Sequence, residues 1–156
     1  MKIYEGKLQA KGYKIAIVIS RFNQFISTSL LEGALEALRK LGAEEADLKI
    51  YKVPGAFEIP FLANKLAEKR EVDGIICLGV LIRGDTPHFD FLSAEVTKGL
   101  SQIGLNKGLP VSFGIITVEN IEQGIERAGT KAGNKGYDAA LALVEMLNLL
   151  KEAKLS

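Results

Sequence analysis

Residues 14–42 read KIAIVISRFNQFISTSLLEGALEALRKLG, and this stretch decides the fold. Residues 14–20 are a continuous, β-branched apolar run, which is typical of a strand buried on both faces of a parallel sheet. The pattern then changes to the helical period. The apolar positions that share one helical face are Leu30, Leu31, Ala34, Leu35, Leu38 and Leu41. Gly42 follows as a stop signal, so the stretch predicts a buried strand and an amphipathic helix packed against it.

The same alternation of strand and helix continues to the end of the chain. Further strands are predicted at residues 47–53, 72–80 and 110–117, and further helices at residues 59–70, 89–107, 120–128 and 137–153. Because βαβ connections place helices over a parallel sheet, we predict an α/β fold. It is a three-layer sandwich, with a four-stranded parallel sheet in flavodoxin-like order and helices on both faces. Residues 1–6 could add an edge strand to this sheet or to a neighbouring subunit's sheet.

The composition predicts one globular domain covering residues 1–156. With 47% hydrophobic residues and a net charge of +1, the chain lacks the basic surface that a nucleic-acid partner requires. The only cysteine, Cys77, lies in an apolar run and predicts core packing, not a disulfide or a metal site. No apolar run approaches the ~18 residues of a membrane span, and no secretory signal is apparent. We therefore expect a cytoplasmic protein with no membrane partner.

The carboxyl ends of the strands are where such a sheet binds ligands. The first of these turns, residues 20–23, has no glycine, which argues against a dinucleotide cofactor. Phe22 in this turn could stack on a flat ring or cap the core. In the second turn Glu58 comes just before a helix, where it could accept hydrogen bonds from a ligand or only complement the helix dipole.

The third turn holds His88, the only histidine of the chain. Residues 84–86 form a candidate anion nest before a helix, and His88 stands one turn away. A proton shuttle is one interpretation of His88, and an incidental surface histidine is the other. Leu81 and Ile82 follow the predicted strand, so we expect them to line a pocket or an interface.

A basic segment, ERAGTKAGNKG at residues 126–136, lies between the last two helices. Its cations, Arg127, Lys131 and Lys135, could clamp a phosphate or simply face solvent. With the strand-end turns, the segment predicts a pocket that binds substrates, orients them and moves protons. No residue set suits a metal site or a nucleophilic serine or cysteine.

Five motifs together resemble the lumazine synthase family over nearly the whole chain. They are SRFN, VPGAFEIP, GVLIRGDTPHFDF, VSFGIIT and ERAGTKAGNKGYDAAL. The resemblance implies condensation of 5-amino-6-(D-ribitylamino)uracil with 3,4-dihydroxy-2-butanone 4-phosphate to 6,7-dimethyl-8-ribityllumazine, with loss of phosphate and water. This is the penultimate step of riboflavin biosynthesis. The family uses no metal and no organic cofactor.

The resemblance also implies the site residues. His88 is the catalytic proton donor and shuttle. The pyrimidine and ribityl site comprises Phe22, Ala56, Phe57, Glu58, Val80, Leu81, Ile82 and Phe113, and the phosphate site comprises Asp85, Thr86, Arg127 and Lys135. Phe57 and Asp85 depart from the family, which often has tryptophan at the first position and a small or neutral residue at the second. We expect the Asp85 carboxylate to turn away from the phosphate.

In the family the pocket lies between adjacent subunits, so the resemblance implies a homo-oligomer. Pentamers are expected, with an icosahedral shell of twelve pentamers because the turn at residues 129–136 is compact, and riboflavin synthase is a candidate partner. A flavin- or lumazine-binding module without turnover, a shell protein with a vestigial site, and a relative that makes riboflavin are the alternatives.

Overall fold

A computed structural model of the chain describes residues 1–130 and 133–156. Four strands form one parallel sheet in the order β2-β1-β3-β4, as predicted. The strands are β1 Ile15–Ser20, β2 Leu48–Val53, β3 Gly74–Ile82 and β4 Val111–Val118. The helices are α1 Gln24–Lys40, α2 Ile59–Lys69, α3 His88–Lys107, α4 Ile121–Arg127 and α5 Lys135–Glu152, with short 3₁₀ turns at Glu45–Asp47 and Ala56–Glu58.

Helices cover both faces of the sheet and enclose two apolar cores, which confirms the three-layer prediction. On one face α1 and α5 pack on side chains such as Ile17 and Leu78. On the other face α2 and α3 pack on Val18 and Ile75. Every residue of β1 is buried, as expected for a strand between two helical layers. Full burial of each such aliphatic side chain contributes about 1.5–3 kcal/mol before entropy is counted.

The predicted helix stop at Gly42 is confirmed. Gly42 has φ +94°, a conformation that glycine adopts without steric cost. Its N–H donates to the Arg39 carbonyl at 3.0 Å, and the Ala43 N–H donates to the Leu38 carbonyl at 2.9 Å. These two bonds form a Schellman motif, which satisfies the last carbonyls of α1 and turns the chain toward β2.

Strand β3 extends past its predicted end at residue 80. It pairs with β4 through Leu81 and Ile82, opposite Thr117 and Val118. Leu81 is 7% exposed and belongs to the second core, and Ile82 packs against the first. The prediction that both residues follow the strand was wrong, because ladder pairing with β4 keeps them in the sheet. That they line a pocket or an interface stays a prediction.

Residues 1–9, all of them described, form no strand in this chain. Residues 6–9 lie along α5: the Asn148 side chain donates to the Gln9 carbonyl at 2.8 Å, and a Cβ added at Gly6 would overlap the Glu145 carbonyl. Within the described residues no strand pairs with the outer edge of β4. The possible edge strand from residues 1–6 is therefore not formed within the subunit.

Candidate active site

Two exposed phenylalanines mark the carboxyl ends of β1 and β2. Phe22 follows β1 and is 61% exposed, and Phe57 lies in the 3₁₀ turn after β2 and is 69% exposed. Exposure of an aromatic ring to this extent removes the interpretation of Phe22 as a cap on the core. Both rings stand free to stack on a planar ligand.

The turn after β2 places backbone groups and the Glu58 carboxylate at the same end of the sheet as the two phenylalanine rings. Ala56 is buried, so any contact it makes with a ligand is through its backbone. Glu58 is half-buried at the N-cap position of α2, whose first turn contains Pro60 as predicted. Both interpretations of Glu58 stay open, because a carboxylate at this position complements the helix dipole and also lies at the carboxyl end of β2.

His88 is the first residue of α3 and is exposed. Its backbone N–H donates to Thr86 Oγ1 at 3.4 Å, a long hydrogen bond. Residues 84–86 are exposed, and none of them has a positive φ. The alternating backbone handedness of a nest is therefore not formed there, and the N–H groups at the start of α3 are the donors available to an anion.

Val80 and Leu81 differ from the other strand-end residues because their side chains are 0% and 7% exposed. Only their backbone, with the half-buried Ile82 side chain, is available to a ligand. This edge of the subunit thus presents two aromatic rings, one carboxylate, one imidazole and backbone polar groups. We name it the strand-end edge.

The remaining predicted site residues lie elsewhere, in a groove of about 1460 Å³ around the outer edge of β4 and the adjoining face of α5. Phe113, Arg127 and Lys135 line it, and none of the strand-end residues does so. Arg127 Nη1 donates to the Gln123 carbonyl at 3.2 Å, and Lys135 Nζ lies 3.6 Å from Asp138 Oδ2. Lys131 is outside the described residues.

Asn120 and Asn134 cap the two helices that contain Arg127 and Lys135. Asn120 caps α4 by accepting from the Gln123 N–H at 2.9 Å. Gln123 Oε1 accepts from the Glu119 N–H, one residue earlier than in a capping box. Asn134 caps α5 by accepting from the N–H groups of Gly136 and Tyr137. Lys135 is therefore the first residue of α5, two residues before the predicted start.

Arg83 was not among the residues predicted from the sequence. Its guanidinium contacts Asp90, Glu119 and the ring of Phe89, and its pKa is raised chiefly by the hydrogen bond to Asp90. The only sign of these contacts in the sequence was the position of the arginine, directly after a buried strand and shortly before His88. Its partners are seven and 36 positions along the chain, so the sequence does not reveal them.

Cys77 is fully enclosed in the second core, and burial raises the pKa of its thiol to about 12. The thiol therefore stays protonated near neutral pH and is not a nucleophile. Among the residues that the structure describes, no three His, Cys, Asp or Glu side chains are grouped as a metal ion would require. None of the described helices is long and apolar enough to cross a membrane.

The fold and the strand-end edge define an α/β protein that presents two exposed aromatic rings, one carboxylate and one imidazole at the carboxyl ends of its strands. Such a site favours a reaction in which the substrates supply nucleophile and electrophile and the protein orients them.

Comparison with known proteins identifies the family of the chain. The family model for 6,7-dimethyl-8-ribityllumazine synthase matches residues 12–151. Proteins named 6,7-dimethyl-8-ribityllumazine synthase from two strains of Clostridium kluyveri are 57% identical over 152 residues, which is 97% of this chain and 99% of theirs. A de novo designed Rossmann fold protein is 15% identical with a TM-score of 0.40, covering 72% of this chain and 91% of its own. The chain belongs to the 6,7-dimethyl-8-ribityllumazine synthase family.

Proposed function

We propose that the chain is a transferase of riboflavin biosynthesis that makes 6,7-dimethyl-8-ribityllumazine. It condenses 5-amino-6-(D-ribitylamino)uracil with 3,4-dihydroxy-2-butanone 4-phosphate and releases phosphate and water. Membership of the family supports this activity. The structural observation that carries it is the position of His88, exposed at the start of α3 on the edge that also presents Phe22 and Phe57.

The strand-end edge binds the pyrimidine and its ribityl chain. Phe22 and Phe57 stack on or flank the ring, and Glu58 accepts hydrogen bonds from ring N–H groups or ribityl hydroxyls. Ala56, Val80 and Leu81 contribute backbone groups, because their side chains are buried. Ile82 closes the apolar wall.

The turn before α3 binds the phosphate. The Thr86 hydroxyl and the backbone N–H of Asp85 donate to phosphate oxygens beside the helix N-terminus. Repulsion between the Asp85 carboxylate and the phosphate turns that side chain outward, where it is exposed. No residue here attacks the substrate, because the pyrimidine amine is itself the nucleophile that forms an imine with the ketone. His88 transfers the protons that imine formation and phosphate departure require.

The subunit's site is completed by a second copy of the chain. Phe113, Arg127 and Lys135 line the groove around β4, while His88 and the stacking rings lie on the strand-end edge. If one copy places its groove against the strand-end edge of the next, Arg127 and Lys135 reach the phosphate and Phe113 reaches the ring. This arrangement is heterologous, and it closes into rings.

The free edge of β4 supports the same arrangement. An exposed strand edge of eight residues is a template for pairing with another chain, and soluble proteins usually cover one. Residues 1–6 of a neighbouring copy are the segment that we propose for this role. From the resemblance to the family we infer pentamers, and twelve of them form the shell. We place the assembly in the cytoplasm, with riboflavin synthase as a candidate partner.

The decisive experiment supplies both substrates to the purified protein and identifies the product by absorbance and mass. Formation of 6,7-dimethyl-8-ribityllumazine with stoichiometric phosphate supports the proposal. Tight binding of lumazine or flavin without product would instead indicate a binding module, and riboflavin as product would indicate a different reaction. Omitting each substrate in turn is the control for spontaneous condensation.

A further inference from the structure

Arg83 joins three chain segments at the strand-end edge. It follows the last residue of β3, and its Nε lies 2.8 Å from Glu119 Oε2, just after β4. Its Nη1 lies 3.2 and 3.3 Å from the two carboxylate oxygens of Asp90, in the first turn of α3. Its Cζ lies 4.5 Å from the centre of the Phe89 ring, a cation–π contact. Its backbone N–H also donates to the Val118 carbonyl at 2.9 Å.

Phe89 and Asp90 are the two residues that follow His88. The N-terminus of α3 has few hydrogen bonds, although Phe89 and Leu92 pack against the second core. Pro87 at the N-cap makes no side-chain hydrogen bond, and the bond from His88 N–H to Thr86 is long. In this part of the described chain, Arg83 is the side chain that ties the first turn of α3 to the end of β4. Movement of that turn would move His88 with it.

The same contacts argue against a direct role in phosphate binding. Two carboxylates occupy the guanidinium, and together with Arg83 they carry a net charge of −1, which does not attract an anion. The hydrogen bond to Asp90 and the nearby Glu119 raise the pKa of Arg83, so the group remains a cation throughout the working pH range.

We propose that Arg83 is a positioning residue, which holds the first turn of α3 against the end of β4 and so fixes the His88 imidazole toward the substrates. The effect on rate rests on the proposed function, because it requires that His88 transfers protons. The effect on geometry does not rest on it. A displacement of about 1 Å at a reacting group can lower a rate by about 10²-fold, so a moderate loss is expected when this tie is removed.

The kinetic test compares Arg83→Met with Arg83→Lys. Arg83→Met removes both ion pairs and should lower kcat about tenfold, with KM for the pyrimidine changed less than twofold. KM for the butanone phosphate should rise by less than kcat falls, because its proposed phosphate site lies at the same helix N-terminus. Arg83→Lys retains a cation that reaches one carboxylate, and should recover part of the rate. The matched control is Arg39→Met, which breaks the exposed pair with Glu45 (2.7 Å) far from the strand-end edge and should leave kcat unchanged.

A double-mutant cycle separates positioning from general damage. In a His88→Ala background, Arg83→Met should cause no further loss of kcat, because the group that it positions is absent. Multiplicative losses in the double variant would overturn the proposal. A raised KM for the butanone phosphate with unchanged kcat would overturn it too, by indicating direct phosphate binding.

A spectroscopic test does not depend on activity. His88 is the only histidine, so solid-state NMR of protein labelled only in histidine reports a single imidazole. We expect one narrow set of ring signals in the wild type and in Arg39→Met, and broadened or doubled signals in Arg83→Met. Asp90→Asn offers a milder version if Arg83→Met folds poorly. Unchanged ring signals in both variants would overturn the proposal, whereas changed signals in a protein without synthase activity would overturn only the proposed function.

Discussion

At the scale of single residues, His88 carries the sharpest prediction. General acid–base catalysis contributes roughly 10²–10⁴-fold in rate. The pyrimidine amine is a competent nucleophile without help, so we expect His88→Ala to lower kcat by about 10²-fold and to leave measurable turnover. Steady-state kinetics with both substrates measures the loss, and added imidazole should restore part of the rate. A variant as active as the wild type would make His88 an incidental surface histidine.

Arg127 tests the phosphate half of the site. Hydrogen bonds to charged groups contribute about 1.5–3 kcal/mol, so Arg127→Ala should weaken binding of inorganic phosphate or of the butanone phosphate by about 10–100-fold. The pyrimidine should bind nearly as before, because its proposed contacts lie on the strand-end edge. Calorimetric titration of each ligand separately measures both affinities, with Arg39→Ala as the control. An equal loss for both ligands would mean that the groove had collapsed, and would contradict a specific phosphate contact.

At the scale of secondary structure, Asn134 joins three elements. Its Oδ1 accepts from the Gly136 and Tyr137 N–H groups at the start of α5, and its Nδ2 donates to the carbonyls of Ser29 in α1 and Ala128 after α4. A Cβ added at Gly33 would overlap the Asn134 side chain, which explains the glycine in the middle of α1. Asn134 therefore sets the position of Lys135 relative to the rest of the subunit.

We expect Asn134→Ala to lower the free energy of unfolding by about 2–4 kcal/mol. Loss of the cap accounts for about 1 kcal/mol, and loss of the two hydrogen bonds to the Ser29 and Ala128 carbonyls accounts for the rest. Asn120→Ala is the matched control: it removes one cap bond from the short helix α4 and should cost about 1 kcal/mol. Chemical denaturation of both variants measures the difference. Equal effects at the two positions would show that the links to α1 and α4 contribute nothing.

The elements themselves were predictable to different degrees. The sequence pattern located every strand and helix of the described chain. For β1, β3, β4 and the four longer helices a buried face produces that pattern, whereas β2 buries only Val53 and α4 only Gly124. Where β3 ends was not predictable, since Leu81 and Ile82 remain in the sheet only through pairing with β4. The contacts of Arg83 and Asn134 were not predictable for the same reason: their partners are distant in the chain and meet only after folding.

For the candidate site, the residue types were readable and their arrangement was not. The strand-end rule located Phe22, Glu58 and His88 on one edge, and the structure confirms that location. The sequence indicated no second location for Phe113 and Arg127, because the groove exists only once β4 has become the outer strand with α5 beside it. Which of these residues bind substrates stays a prediction.

At the scale of the whole molecule, the distribution of apolar surface bears on assembly. Phe25, Phe61 and Phe91 are 77%, 68% and 68% exposed, in addition to the two stacking rings. A contiguous apolar patch on a soluble protein usually marks an interaction site, whereas single exposed apolar side chains are common. These side chains and the free edge of β4 are the surfaces from which we predict an interface.

The last prediction concerns the assembled particle. Because the groove and the strand-end edge each hold part of the proposed site, an isolated subunit should be inactive, and we expect pentamers that assemble twelve to a shell. The stretch of sequence between α4 and α5 is short, and the family resemblance links a short stretch there to the shell rather than to free pentamers. Sedimentation velocity and electron microscopy of the purified protein measure the state, and hollow spheres are the expected result. Deletion of residues 1–6 should weaken assembly and activity together, because it removes the segment proposed to pair with a neighbour's β4. Isolated active pentamers would contradict the shell but keep the shared site, and an active monomer would contradict both.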